Sequence, residues 1–245
     1  MKSNLSYLIL GELVRLIKYK VHLVSLLLLF LWFVILSIIK DNQLFNQFLP
    51  MILSVDATMM AILFIGSILF FEKSEQTVST LLVTPIKKRH LIESKIITNV
   101  IHLTTTSLLL TLLFVIIRGI EINFIILITA LILSIWLHSL IGFLFSFLTK
   151  SFTSMLVFLM AYSLLLMIPT FLKSSDLFFT NALFDYLFLI NPQYAVSILI
   201  EASLTSNDVL LPILAYLSLI LYIVFFSLVV VYPNYQKSAI KQSGV

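Results

Sequence analysis

Few side chains in this sequence have the chemistry to act on a ligand, and their positions say more than their number. Asp56 is the one acid well inside a long apolar stretch. It lies six residues past Pro50, about 9 Å along a helix at ~1.5 Å per residue. An ionisable group at such depth is a functional candidate by default. A site near the outer interface, or a pairing across a dimer, accounts for it as well. His102 and His138 fall in two further apolar stretches. A zinc site would want two histidines in an H-x-x-x-H spacing on one helix, and none occurs. Each histidine reads as bonded to a nearby hydroxyl or as a pathway candidate. Thr104, Thr105, Thr106, Ser107 and Thr111 give the stretch around His102 a hydroxyl-rich character; such groups bond back to their own helix or across a helix contact. With no cysteine, the chain has no thiol nucleophile, zinc ribbon or disulfide framework. It has five glycines and no G-x-x-x-x-G-K-[ST] run, so it has no cradle for ATP phosphates.

The elements that must position these residues follow from composition. Of 245 residues, 61% are apolar and 11% charged, and the mean hydropathy is +1.15. Soluble domains run near ~45–50% apolar and ~25% charged. A chain this apolar cannot cover its core with polar surface, so the expected fold is an all-α polytopic membrane protein in one domain, residues 1–245. A spanning helix needs roughly 20 apolar residues. Six stretches qualify: about Val21–Ile39, Met51–Phe71, Ile96–Ile117, Phe124–Leu148, Phe152–Leu172 and Val209–Tyr232. The first is too long for the apolar core of a cleavable signal peptide and has no small-residue cleavage site after it. Between the fifth and sixth, Ala182–Ile190 and Tyr194–Ile200 are too short to span, and Asn191-Pro192 separates them. They predict short interfacial or re-entrant helices on the outer side. Pro169 predicts a kink in the fifth span.

Lysine and arginine set the expected orientation. Twelve of the fifteen fall on one side, leaving Lys40, Arg118 and Lys173 for the other. That predicts a multi-pass protein of the cell membrane with both termini cytoplasmic. Asp41, Glu121, Asp176, Asp185, Glu201 and Asp208 then lie outside. Ser3 to Lys20 reads as an amphipathic interfacial helix, with Leu5, Leu8, Ile9, Leu13, Leu16 and Ile17 near a 3.6-residue period and Glu12, Arg15 and Lys18 on the other face. Arg15 and Lys18 there face either the membrane surface or a cytoplasmic partner.

The cytoplasmic loop Glu72 to Lys95, EKSEQTVSTLLVTPIKKRHLIESK, is the most informative segment. Val78, Leu81 and Leu82 form one apolar stripe on a short helix, which Thr84-Pro85 ends. Lys87, Lys88 and Arg89 follow, suited to anionic headgroups or an acidic partner. A plain solvated connector has the same general form. The order Glu72, Thr77, Leu81-Leu82, Thr84-Pro85-Ile86 and Lys95 resembles the permease subunit of ABC-2 type transporters. Gln76 and Ser94 stand where that family prefers glycine. Six spans, an N-terminal interfacial helix and short outer helices before the last span extend the resemblance over the whole chain.

The resemblance implies a transport subunit without its own engine: no enzyme and no cofactor on this chain, with ATP and Mg on a separate ABC ATPase. It implies a second permease copy, identical or paralogous, and no nucleic-acid partner. The segment from about Glu75 to Val83 would be a coupling helix seated in an ATPase groove. Glu72 and Glu75 would pair with basic groups there or cap the helix through its dipole. The expected cargo is amphiphilic or hydrophobic, a drug or peptide, because few charges lie within the spans. Lipid, polysaccharide or haem-related export are the alternatives within the class. A passive channel or scaffold would leave the loop pattern unexplained. An intramembrane protease of the CAAX type would need Glu-Glu-x-x-x-Arg, and Glu72 and Glu75 lack that spacing.

Overall fold

The computed structural model describes residues 5–75, 77, 86–174, 181–204 and 209–235. Six helices are long and apolar enough to cross a membrane. A shorter helix, α1 (Leu5–Lys18), precedes them. The six are α2 (Val21–Ile38), α3 (Asn42–Ser74), α4 (Lys88–Arg118), α5 (Phe124–Leu148), α6 (Phe152–Ser174) and α9, which runs from Leu210 to Phe225 and continues as a π-helix over Phe226–Val231. Two short helices, α7 (Ala182–Leu187) and α8 (Pro192–Leu204), lie between α6 and α9.

Two of the spans are longer than hydropathy alone suggests. α3 begins nine residues before Met51, because Asp41 caps it: its carboxylate accepts from the Gln43 and Leu44 amides at 2.7 and 3.0 Å. Such caps satisfy orphan amides of the first turn. Its 33 residues make about 50 Å of helix at ~1.5 Å per residue, well beyond the ~30 Å hydrocarbon layer. α4 likewise starts at Lys88 rather than Ile96. α3 therefore projects past its apolar stretch mainly at its start, and α4 at the lysine-rich end, where the loop between them is shorter than the apolar boundaries imply.

α3 and α5 form the centre of the bundle. A Cβ on Gly142 of α5 would lie 3.1 Å from the Ile62 carbonyl oxygen and 3.2 Å from the Ile62 Cα of α3. Only a residue without a side chain allows the two backbones that close. Asn99 of α4 ties in the third helix, its Nδ2 donating to the Ala61 carbonyl at 3.1 Å and to Ser139 Oγ at 2.8 Å. Gly142→Val is expected to cost about 1–3 kcal/mol by overpacking this contact. Thermal melting of the purified protein in detergent checks it, and an unchanged midpoint would mean that α3 and α5 do not meet here.

The segment before α9 is a re-entrant hairpin. Its tip, Ile190-Asn191, reaches the level of Tyr222, whose hydroxyl donates to the Ile190 carbonyl at 2.6 Å. Tyr222 is twelve residues into α9, about 18 Å from its start. Ser218 Oγ donates to the Leu189 carbonyl at 2.8 Å. Asn191 Nδ2 donates to the Leu166 carbonyl at 2.9 Å and to Thr170 Oγ1 at 3.0 Å, beside Pro169, which lies inside α6. Non-helical backbone at such depth survives only where protein satisfies its polar groups; Ser218 and Tyr222 do so for two carbonyls, and Asn191 Oδ1 accepts from the Gln193 and Tyr194 amides at 3.0 and 3.4 Å. α8 then returns to the end it came from, where the Asn123 amide donates to the Ser203 carbonyl at 2.7 Å. α2, α6 and α9 form the periphery and present many exposed apolar side chains, Leu27, Phe30, Leu165 and Leu221 among them.

Candidate functional site

The lysine-rich end holds a buried ion cluster at the base of the α3–α4 loop. Lys95 sits in a helical stripe of buried neighbours, Leu91, Ile92, Ile96 and Asn99, and is itself 1% exposed. A lysine there must find carboxylates, because an unpaired buried charge is prohibitive. Its Nζ donates to Glu12 Oε1 of α1 at 2.6 Å and to Glu72 Oε1 at the end of α3. Arg15, one turn from Glu12, also donates to Glu72 Oε1 and lies 3.3 Å from Glu12 Oε2. Two acids and two bases thus neutralise one another across three helices. The Arg15 pKa is net raised: burial alone lowers it, and the Glu12 and Glu72 carboxylates outweigh that.

α1 keeps much of its amphipathic pattern, with Leu16 buried and Leu5, Leu8, Ile9 and Leu13 half-buried, and departs from it at two charges and at Ile17. Glu12 is buried and Arg15 turns onto Glu72, while Leu10, Val14 and Ile17 are exposed. Glu12 and Arg15 of the polar face turn into the bundle beside Leu16, because they meet charges of opposite sign there. Lys18 stays exposed.

Glu75, the C-cap of α3, is held by the turn between α1 and α2. Tyr19 donates to Glu75 Oε1 at 2.5 Å, and its ring lies 4.9 Å from that of Phe71. The Tyr19 pKa is raised, first by burial and then by the bonded carboxylate. Thr77 Oγ1 donates to the Glu72 carbonyl at 3.2 Å. Leu81, Leu82, Thr84 and Pro85 lie outside the described residues. After the loop, Lys87 and Arg89 are exposed and Lys88 is half-buried. Arg89 pairs with Glu93 at 2.6 Å and stacks over the Tyr232 ring at 5.2 Å, so its charge joins α4 to the end of α9.

The three in-span candidates do not assemble. Asp56 accepts from Trp32 Nε1 at 2.9 Å, in a narrow groove between α2, α3 and α4 that Ser25, Thr106 and Ser107 also line. His102 Nε2 hydrogen-bonds at 2.8 Å to Ser25 Oγ, which lines the same groove. His138 is remote from both: its Nδ1 meets the Ser134 carbonyl at 2.8 Å and its ring packs against Tyr162. Among the described residues, no group of three His, Asp or Glu side chains could hold a metal ion. Asp56→Asn keeps an acceptor for Trp32 and is expected to leave stability nearly unchanged. Trp32→Phe strands the carboxylate and is expected to cost about 1–3 kcal/mol. Melting curves of both variants check this, and a larger loss for Asp56→Asn would mean that the carboxylate has a stronger partner than Trp32.

Sequence reasoning singled out Glu72, but not Glu12 as its neighbour or Lys95 as the hub. The available signal was Lys95's place in an otherwise apolar helical stripe and the Glu12–Arg15 spacing of one turn. Arg118 was missed in the same way. It donates to the Leu36 and Ile39 carbonyls at the end of α2 and stacks 4.2 Å over Phe45. It thereby satisfies orphan carbonyls of a helix terminus.

A family model described as ABC-2 family transporter protein matches residues 37–232. The chain belongs to the ABC-2 transporter family. A search of curated proteins returns no match. As an ABC-2 permease, the chain is the multi-pass membrane component of a transporter. The match takes in Glu72, Lys95 and the loop between them, whereas Glu12 and Arg15 precede it.

Proposed function

We propose that this ABC-2 permease is the membrane subunit of an ATP-driven exporter of amphiphilic or hydrophobic cargo, of the drug or peptide class. It works in the cytoplasmic membrane with both termini inside, beside a second permease copy and within lipid. A separate ABC ATPase carries ATP and Mg and docks on the segment from about Glu75 to Val83, with Leu81 and Leu82 as the apolar contact. Lys87, Lys88 and Lys18 then face anionic headgroups or the ATPase.

The ion cluster is the observation that carries this reading. Glu72 near the end of α3 and Lys95 two turns into α4 flank the loop and are joined directly, and Glu12 and Arg15 lock α1 onto the same point. A push on the loop then moves α1, α3 and α4 as one body rather than bending the loop alone. A passive channel has no use for such a joint. The exposed apolar sides of α2, α6 and α9 suit contact with lipid or with the second copy.

The test is ATPase activity of the permease–ATPase complex in proteoliposomes, across cationic, neutral and anionic amphiphiles. Stimulation by some of these, lost when the permease is omitted, is the expected result. An ATPase rate indifferent to the permease and to every cargo would remove the reading. Orientation is checked with single cysteines, since the chain has none. Glu121→Cys is expected to react with an impermeant reagent from outside intact cells, and Lys150→Cys only after lysis. The reverse pattern would overturn the orientation.

A further inference from the structure

At the end of the bundle opposite the ion cluster lies a cleft of about 300 Å³, at the lower bound of ligand-binding cavities. One wall is a single stripe of α8: Tyr194, Ser197, Ile198 and Glu201, at the i, i+3, i+4, i+7 spacing of one helix face. It runs about 10 Å from the deep end of the re-entrant hairpin toward its mouth, seven residues at ~1.5 Å each. The facing walls come from the first turns of α3 (Gln47, Pro50, Met51), the last turn of α6 (Lys173, Ser174) and the start of α9 (Leu211).

The lining has two characters. Pro50, Met51, Ile198 and Leu211 are apolar and suit the first methylenes of a hydrocarbon chain. The charged groups are Lys173, Asp185 and Glu201. Lys173 Nζ and Asp185 Oδ1 pair at 2.7 Å, and the Tyr194 hydroxyl donates to the same carboxylate oxygen at 3.2 Å. Whatever pairs within it, the described lining sums to one net negative charge. A cleft with low-dielectric walls focuses that field on whatever enters. With Lys173, Asp185 and Glu201 included, this side carries six acids against three bases.

We propose that this cleft binds the cationic headgroup of an amphiphile, an alkylammonium, with its ammonium toward Glu201 and Asp185 and its first methylenes against the apolar lining. The inference rests on the export reading only in treating this occupant as cargo on its way out; the site itself stands on the cleft. It narrows the cargo class from amphiphiles in general to those carrying a positive head.

The experiment needs no ATPase. Gln47→Cys and Ser174→Cys place single thiols on the α3 and α6 walls, both at exposed positions, in purified permease reconstituted in neutral-lipid nanodiscs. Each is reacted with a trimethylammonium-bearing and a sulfonate-bearing methanethiosulfonate of equal size. The cationic reagent is expected to react faster by about threefold or more relative to its rate ratio on a free thiol, and Glu201→Gln is expected to abolish most of that preference. Decyltrimethylammonium, below its micelle concentration, is expected to slow labelling severalfold at both positions, and decyl sulfate to leave it unchanged. Equal protection by decyl sulfate, no protection by either, or a charge preference untouched by Glu201→Gln would overturn the proposal. Protection without ATPase coupling would sink the export reading and leave the cleft standing; coupling without protection would do the reverse.

Discussion

Lys95→Met is expected to destabilise the permease by about 3–5 kcal/mol, because it leaves buried carboxylates without their counter-charge. Lys95 is 1% exposed and Glu72 1%, so water cannot take over the role of the missing ammonium. Glu72 keeps Arg15, but Glu12 loses its bond from Lys95 and the cluster becomes net negative. Lys95→Met combined with Glu72→Met removes one charge of each sign and leaves the Glu12–Arg15 pair. That double variant is expected to be clearly more stable than the Lys95→Met single, which is the signature of a coupled pair. Thermal midpoints of the two singles and the double in detergent complete the cycle. Additive losses would mean that Lys95 and Glu72 act independently, and with them the joint between α3 and α4 would fall. The same variants bear on coupling. If the cluster transmits force, the double variant folds yet stimulates its ATPase less than the parent does.

Leu81→Asp and Leu82→Asp are expected to abolish that stimulation altogether. The reasoning is energetic: a carboxylate pressed into an apolar groove loses its water without gaining a partner. The stripe lies between two positions that the cluster holds in place, Glu72 and Lys95, so a change there need not disturb the bundle. The expected phenotype is a permease with an unchanged melting midpoint that no longer co-purifies with its ATPase, or does so without raising its turnover. Full co-purification and normal stimulation in both variants would remove the docking assignment. Comparing this result with that for Lys95 separates contact from transmission. On the proposed function, loop variants are expected to fail to dock, and cluster variants to dock and fail to transmit.

The elements were legible in the sequence to different degrees. Six apolar stretches announced six spans because hydrocarbon admits only helices that satisfy their own backbone. The starts of α3 and α4 were not legible from hydropathy. Asn42 to Leu49 and Lys88 to Lys95 are too polar to count as span, yet helix propagates wherever a cap and a packing face exist. Asp41 supplies the cap of α3, and Leu91, Ile92 and Lys95 the buried face of α4. The re-entrant hairpin was readable as two short helices broken at Asn191-Pro192. Its depth was not, because depth depends on Ser218, Tyr222, Leu166 and Thr170, residues distant in the chain that hold its tip.

Composition, periodicity and motif order by themselves determined that this is an all-helical, six-span membrane protein and pointed to its transporter family. They carry such information because each reflects a local requirement: enough apolar residues to cross, a helical repeat, a family's residue order along one loop. Which charges meet was decided only by the tertiary structure. Glu12 looked like one of several polar residues on an interfacial helix, and Lys95 like the last residue before a span. Packing α1 against α4 and the end of α3 put them 2.6 Å apart, eighty-three positions away from each other. The same holds for the cleft, where Lys173, Asp185 and Glu201 come from three helices. Opposite charges in a low-dielectric interior pair by distance in space, and no local pattern of residues encodes that distance.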